Sequence, residues 1–95
     1  MRKIPLEFKL TISFIKEGNR VVAYSPALDL STSGKNHSDA RKRFEEIVSI
    51  FFEELIKNGT AKEALGNLGW KKTPTTWNPP IVISQESQTI RVPAI

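Results

Sequence analysis

The chain has 95 residues, which is the length of one small domain. It carries 14 Lys and Arg against 10 Asp and Glu, a formal net charge of +4, and no cysteine. The missing cysteines exclude disulfides, thiolate zinc sites and cysteine nucleophiles. Its apolar runs are far shorter than the roughly 20 residues of a membrane span. We therefore expect a soluble cytoplasmic protein with no membrane partner.

The first third of the chain predicts three antiparallel strands. Apolar and polar residues alternate over residues 4–14, which is typical of a strand with one buried face. The segment KEGN at 16–19 predicts a hairpin turn, and RVVAYS (Arg20–Ser25) predicts the second strand. The segment LDLSTS, residues 28–33, predicts a third strand.

A long helix should follow. Gly34 is expected to free the chain to turn, and Asn36 is expected to cap the helix with Asp39 three residues later. The helix should end at Asn58, with Gly59 in the left-handed conformation. One stripe of apolar residues at helical spacing predicts the face that packs on the sheet. Its members are Ala40, Phe44, Ile47, Val48, Phe51 and Leu55.

Two apolar residues of this helix, Phe52 and Ile56, lie outside that stripe. A monomer of one sheet and one helix would leave them in water, so we expect something to cover them. The segment TAKE at 60–63 predicts a capping box that opens a short second helix, which Gly69 would end. This helix is the expected cover.

The last part of the chain predicts a linker and a β-prone tail. The segment KKTPTTWNPP, residues 71–80, is rich in Pro and Thr. Trp70 and Trp77 either fix this segment to the core or, for Trp77, form an exposed anchor for a partner. The pieces 81–84 and 89–92 flank a polar QESQ and could form a hairpin or one strand on each side of a bend.

These elements predict an α+β fold in which an antiparallel three-stranded meander is packed by one long helix. A short helix and a C-terminal β tail follow. We divide the chain into an α+β domain over residues 1–72 and a linker with tail over residues 73–95. The tail is expected to pack on the same domain or on a partner.

The inventory of chemical groups argues against catalysis and against a bound metal or cofactor. His37 is the only histidine, so one chain cannot assemble a zinc triad or a Ser-His-Asp arrangement. The carboxylates of Glu7, Asp29 and Glu45 or Glu46 could hold a divalent cation only if they converged. Their positions on the expected strand, turn and helix do not suggest that they do. We expect no enzymatic activity.

The segment from Arg20 to Leu55 resembles the core of the HicB family of antitoxins. The family pattern joins a strand ending in Ala-Tyr/Glu-x-Pro-x-Leu to small polar residues, Gly, a capped turn and an Asp/Glu-Ala pair that opens a helix. The matching residues are Ala23, Tyr24, Pro26, Leu28, Gly34, Asn36, Asp39 and Ala40. Asn36 stands where the family usually has Thr. The resemblance covers roughly residues 8–72, including the segment GTAKEALGNLGWKK.

The resemblance implies a reduced RNase H-like fold and a homodimer or other homo-oligomer. It also implies a function, which is to bind and block a HicA-type mRNA interferase toxin, or to act as an orphan relative of such an antitoxin. Residues 73–95 do not match the DNA-binding domains that many members carry, so direct DNA binding is not expected. The residues that we expect at a partner or oligomer interface are Phe52, Ile56, Trp77, Ile81, Ile83, Ile90 and Val92.

Two other hypotheses stay open at this point. A divalent-metal nuclease with an RNase H-like site would need the carboxylates of Glu7, Asp29 and Glu45 or Glu46 close together. A weak RNA-binding module would show an affinity that falls steeply with salt.

Overall fold

A computed structural model describes residues 8–94 of the chain. The elements are β1 (Ser13–Glu17), β2 (Arg20–Ser25), β3 (Leu30–Gly34), α1 (His37–Asn58), α2 (Ala61–Asn67), β4 (Lys71–Lys72) and β5 (Trp77–Asn78). The strands β1, β2 and β3 form one antiparallel sheet in that order, and β4 pairs with β5 in a second, two-stranded sheet. The helix α1 packs on one face of the larger sheet. This architecture confirms the expected α+β fold.

The first strand is shorter than the sequence predicts. Of the predicted strand, residues 4–7 lie outside the described part of the chain, and the regular strand begins only at Ser13. Residues 8–12 nevertheless keep the expected alternation, because Phe8, Leu10 and Ile12 are half-buried whereas the residues between them are exposed. The alternation therefore identified the buried face even where the backbone is not paired.

The turn between β1 and β2 is tighter than predicted. The strand β1 continues to Glu17, which pairs with Arg20, so that only Gly18 and Asn19 form the connection. Gly18 has φ 63°. Asn19 has no positive φ, and a positive φ at the first central residue alone is the mark of a type II′ turn, which matches the twist of the flanking strands.

The connection between β2 and β3, residues 26–29, is fixed by buried side chains. Ala27 and Leu28 are buried at 3% and 2% exposure, so Leu28 belongs to this turn and not to the third strand, which begins at Leu30. Asp29 has φ 51°, a left-handed conformation that Asp tolerates better than most residues. It lies in the turn, as predicted. The Trp70 indole Nε1 donates to the Ala27 carbonyl oxygen at 2.8 Å, which connects this turn to the segment after α2.

The N-terminus of α1 is capped as predicted. The Asn36 side chain accepts a hydrogen bond from the Asp39 backbone N–H at 2.8 Å. The Asp39 carboxylate in turn accepts from the Lys35 backbone N–H at 2.8 Å and from Arg43 Nε at 3.2 Å. The Lys35 hydrogen bond, assisted by the nearby Arg43 charge, lowers the pKa of Asp39 below its usual value. At the other end, Gly59 has φ 67° and ends the helix in the left-handed conformation.

Gly34 has a different role from the one predicted. It does not adopt a positive φ, and it ends β3 as a buried residue directly under α1. A Cβ atom at this position would lie 2.4 Å from the Ala40 backbone nitrogen. Glycine is therefore required because it lets the first turn of α1 approach the sheet.

Two clusters of buried residues form the core. Ala23 of β2 packs with Ala40 and Phe44 of α1 between the sheet and the helix. The second cluster joins the turn 26–29 to α2 and the segment that follows it. Its buried members are Ala27, Leu28, Leu65 and Trp70.

The helix α2 and the segment behind it differ in detail from the prediction. The predicted capping box is wrong, because the Thr60 side chain makes no capping hydrogen bond; the Thr60 carbonyl oxygen instead accepts from Ala64 N–H. The strands β4 and β5 form a hairpin inside the segment that the sequence suggested as a linker. The backbone N–H of Thr73 donates to the Thr76 carbonyl oxygen at 2.8 Å and closes that hairpin.

Residues 81–94, called the tail below, form no helix or strand. The β-prone pieces 81–84 and 89–92 are therefore not strands in the described chain, although they were predicted as such. Beside the first piece lies the edge of β1 that pairs with no other strand within residues 8–94, and there Gln85 Nε2 donates to Ser13 Oγ at 3.2 Å. An open groove of about 490 Å³ separates residues 11–14 from residues 82–85.

Candidate interaction surfaces

Phe52 packs inside its own chain. Its ring lies 5.3 Å from the Phe8 ring and 6.2 Å from the Trp70 ring, and Phe8 and Trp70 meet edge to face at 5.1 Å. Tilted and edge-to-face contacts at these distances are favourable for aromatic pairs. Phe8 and Trp70 thus cover Phe52, which the sequence left without a packing partner. Phe8 precedes α1 in the chain, and Trp70 follows it.

Ile56 and Trp77 lie at the rim of this aromatic cluster. The Ile56 side chain is 65% exposed, whereas Trp77 is half-buried against the core. Together with Phe8, Phe52 and Trp70 they line a small apolar crevice. The Lys72 ammonium lies 5.7 Å from the centre of the Trp77 ring, within the range of a cation–π contact. Both tryptophans therefore fix the segment after α2, and Trp77 keeps part of its ring accessible.

The four predicted interface residues of the tail are the most exposed large apolar side chains of the described chain. Their exposed fractions are 81% for Ile81, 95% for Ile83, 68% for Ile90 and 76% for Val92. Val82, between the first two, is half-buried. The seven predicted interface residues thus fall into three groups. Phe52 is packed, Ile56 and Trp77 lie at the rim of the aromatic cluster, and the four tail residues are exposed to water.

A further surface, on the outer side of α1, was missed by sequence reasoning. Ile50 is 58% exposed there. At helical spacing its neighbours are Glu46, Glu53 and Glu54, which are all exposed. We call these four residues the acidic patch. The sequence carried a signal, because bases occupy positions 41–43 whereas the acids follow from position 45, but the count over the whole helix is close to neutral and conceals it.

The candidate metal ligands do not form a recognisable site in the described residues. Glu7 lies outside them. Asp29 Oδ1 accepts a hydrogen bond from the Tyr24 hydroxyl at 3.1 Å, and this bond raises the pKa of Tyr24 above its usual value. Glu45 and Glu46 are adjacent on α1 and so point about 100° apart. Within residues 8–94, no group of three or more His, Asp and Glu side chains could hold a metal ion.

His37 packs on the sheet edge at the start of α1. Its ring lies 4.0 Å from the ring of Phe14, and the Arg41 guanidinium lies 5.9 Å from the same ring. His37 therefore contributes to the packing of the start of α1 on Phe14.

Comparisons with protein-family models, with curated proteins and with solved structures found no match for this chain. In the described part of the chain, neither helix has the length and apolar composition needed to cross a membrane.

Proposed function

We propose that this protein is a non-enzymatic, cytoplasmic HicB-like antitoxin, or an orphan relative of one, which binds and blocks a HicA-type mRNA interferase toxin. The resemblance of residues 8–72 motivates the family, and the acidic patch on α1 is the observation that supports the partner. A toxin that binds RNA presents a basic surface, and such a surface is complementary to three exposed glutamates around an exposed isoleucine.

The local charge of α1 outweighs the positive net charge of the chain at this surface. The bases nearest to Ile50 on the same face, Arg43 and Lys57, each lie seven residues from it. At 1.5 Å per residue this is about 10 Å along the axis, which is close to the Debye length at physiological salt. The charges closest to Ile50 are therefore the three glutamates, whereas Arg43 and Lys57 lie at the two ends of the patch. Ile50 supplies the apolar contact that an interface needs near its centre.

Co-expression with a candidate toxin, the product of any small reading frame adjacent to the gene for this chain, tests the proposal. The complex is purified, and growth is scored for rescue from toxicity. Ile50→Lys should weaken binding by roughly 2 kcal/mol, or about 30-fold, because it places a cation where the basic partner docks. Glu53→Lys should slow association and make it less sensitive to salt.

Glu63→Lys on α2 is the matched control, because it makes the same charge change at an exposed site outside the acidic patch. It should leave binding and rescue unchanged. Absence of both complex and rescue with the unmodified chain would exclude the antitoxin function. Equal losses from Glu53→Lys and Glu63→Lys would mean that the acidic patch is not the docking surface.

A further inference from the structure

Bases that are scattered in the sequence meet at one end of the folded chain. The turn between β1 and β2 lies beside the last residue of β3, because Val21 pairs with Gly34. The helix α1 begins three residues after Gly34, at the same end. We call residues 16–20 and 35–43 the basic end. Its bases are all exposed, and they are Lys16, Arg20, Lys35, Arg41, Lys42 and Arg43.

The basic end carries as much positive charge as the whole chain. Its six bases are accompanied by two acids, Glu17 and Asp39, so that its net charge is +4, as it is for all 95 residues. Asp39 pairs with Arg43 at 3.2 Å, and among the described residues the other five bases of this end form no ion pair. Their charge is therefore available to an anionic partner. The limit of this surface is Glu45, one turn of α1 beyond Arg41.

Two stacked rings lie beside these bases. The His37 ring is 4.0 Å from the Phe14 ring, with 39° between their planes, and the Arg41 guanidinium is 5.9 Å from the centre of the Phe14 ring. Phe14 is half-buried against the core, whereas His37 is exposed. Lys16 follows Phe14 on the same face of β1, so a second base shares this surface with the rings. An exposed ring beside cations is the arrangement that binds a nucleic-acid base together with its phosphates.

The rings and the cations together favour an unpaired nucleic-acid strand as the ligand. Stacking of bases on aromatic rings and cationic contacts to the backbone are the two contributions that bind single strands. A duplex keeps its bases stacked inside, so it offers no base to the exposed ring of His37. RNA is the nucleic acid whose loops and ends present unstacked bases to proteins.

We infer that the basic end binds single-stranded RNA, with one base stacked on His37 and the neighbouring phosphates held by Lys16 and Arg41. The site is hidden in the sequence, because its bases come from three separate segments: the turn after β1, the link between β3 and α1, and the first two turns of α1. It does not depend on the antitoxin function, which uses the acidic patch farther along α1. The glutamates of that patch repel phosphates, so the RNA is confined to the basic end.

Fluorescence anisotropy with a labelled oligouridine tests the binding. An oligomer of about 12 nucleotides should bind with a Kd of roughly 10–100 μM at physiological salt. Neutralisation of about four phosphates should give a slope of roughly −3 when the logarithm of the affinity is plotted against the logarithm of the salt concentration. An RNA duplex of the same length should bind more weakly, because it lacks an accessible base, and the matching DNA strand should not bind more tightly than the RNA.

Two matched pairs of variants locate the site, with circular dichroism as the check on folding. Lys16→Glu should weaken binding and make the salt slope shallower by about 0.7 for each lost phosphate contact. Lys62→Glu, the same charge change at an exposed site on α2 outside the basic end, should leave affinity and slope unchanged. His37→Ala should weaken binding at least about fivefold with an unchanged slope, whereas His37→Phe keeps a ring and should retain most of the affinity.

Nuclear magnetic resonance maps the same site in the unmodified chain and does not depend on any variant. Oligouridine should shift the amide resonances of the basic end and leave those of the acidic patch in place. Shifts outside the basic end only, or no binding at low salt, would overturn the inference. So would equal losses from Lys16→Glu and Lys62→Glu, which would attribute binding to the net charge of the chain, and so would tighter binding of the duplex or of the DNA strand.

Discussion

The turn at residues 26–29 and the tail at residues 81–94 are both irregular chain with apolar residues, yet only the turn is fixed. In the turn, Ala27 and Leu28 are buried, and the Ala27 carbonyl oxygen accepts from the Trp70 indole. In the tail, Ile83 is 95% exposed, and among the described residues the one hydrogen bond to the sheet comes from Gln85. Apolar residues thus order an irregular segment only where another element offers both a surface and partners for the backbone.

The largest expected effect comes from removing the anchor of the turn. Trp70→Ala should destabilise the protein by about 3–5 kcal/mol, because it leaves a cavity beside Phe8 and Phe52 and removes the hydrogen bond to Ala27. Trp70→Phe keeps a ring and should lose only about 1–3 kcal/mol. Urea denaturation followed by circular dichroism measures both. A Trp70→Ala variant as stable as the unmodified chain would show that the turn keeps its conformation without the contact to Trp70.

The close approach between Gly34 and α1 gives the next effect. Gly34→Ala should cost about 1–3 kcal/mol or more, because its Cβ would lie 2.4 Å from the Ala40 backbone nitrogen. Gly66→Ala in α2 is the control. Nothing lies within 4 Å of its Cβ, so the better helix former should raise stability by up to about 1 kcal/mol. Equal thermal shifts for the two variants would contradict the assignment of Gly34.

Replacing Ser25, which precedes the turn, should raise the stability of the protein, whereas the two replacements above lower it. Its side chain is fully buried, and within residues 8–94 its Oγ has no hydrogen-bond partner. Ser25→Ala removes this buried polar group and should stabilise the protein by about 1 kcal/mol. Ser31→Ala, on the exposed side of β3, should change stability by less than about 0.5 kcal/mol. A loss of stability in Ser25→Ala would mean that Oγ has a partner in solution.

Acid should loosen the helix start that follows this region. The pKa of Asp39 is lowered in the folded chain, so its contribution is fully present above the ordinary carboxyl pKa of about 3.9. It is lost as the pH falls below that value toward the lower folded pKa, because the unfolded chain then binds the proton more readily. Asp39→Asn should remove this part of the pH dependence of unfolding. A profile identical to that of the unmodified chain would show that Asp39 is not coupled to folding.

The smallest effect should come from the tail. A chain that ends at Pro80 should unfold with a free energy within about 0.5 kcal/mol of the full chain, measured at concentrations where both are monomers. The reason is that the tail buries little in its own domain. A loss of several kcal/mol would instead show that the tail pairs with β1 as a fourth strand and would remove the contrast with the turn.

Periodicity predicted the larger elements well. The alternation of Phe8, Leu10 and Ile12 marked the buried face, and the helical stripe marked the side of α1 that meets the sheet. The caps at Asn36 and Gly59 were also predictable, because they depend on chemistry within a few residues. The β4–β5 hairpin was not, since its strands have only two residues each and leave no period to detect.

The candidate surfaces were predictable only in part. The apolar residues of the tail were expected at an interface; the structure leaves them exposed, and their interface role stays a prediction. Phe52 could not be distinguished from them in the sequence, because its cover comes from Phe8 and Trp70, which are far apart in the chain. The acidic patch was missed because a net count of charge over the helix does not report which charges share a face.

By itself, the sequence determined the α+β class, the order of the three strands and the long helix, and the face that each turns to the core. These features follow from local periods and caps, which act over a few residues. Only the tertiary structure decided which apolar residues remain exposed, and that Gly34 serves close packing and not a turn. Both depend on contacts between segments that are far apart in the chain. Such contacts cannot be read from the type of a residue or from the residues next to it in the sequence.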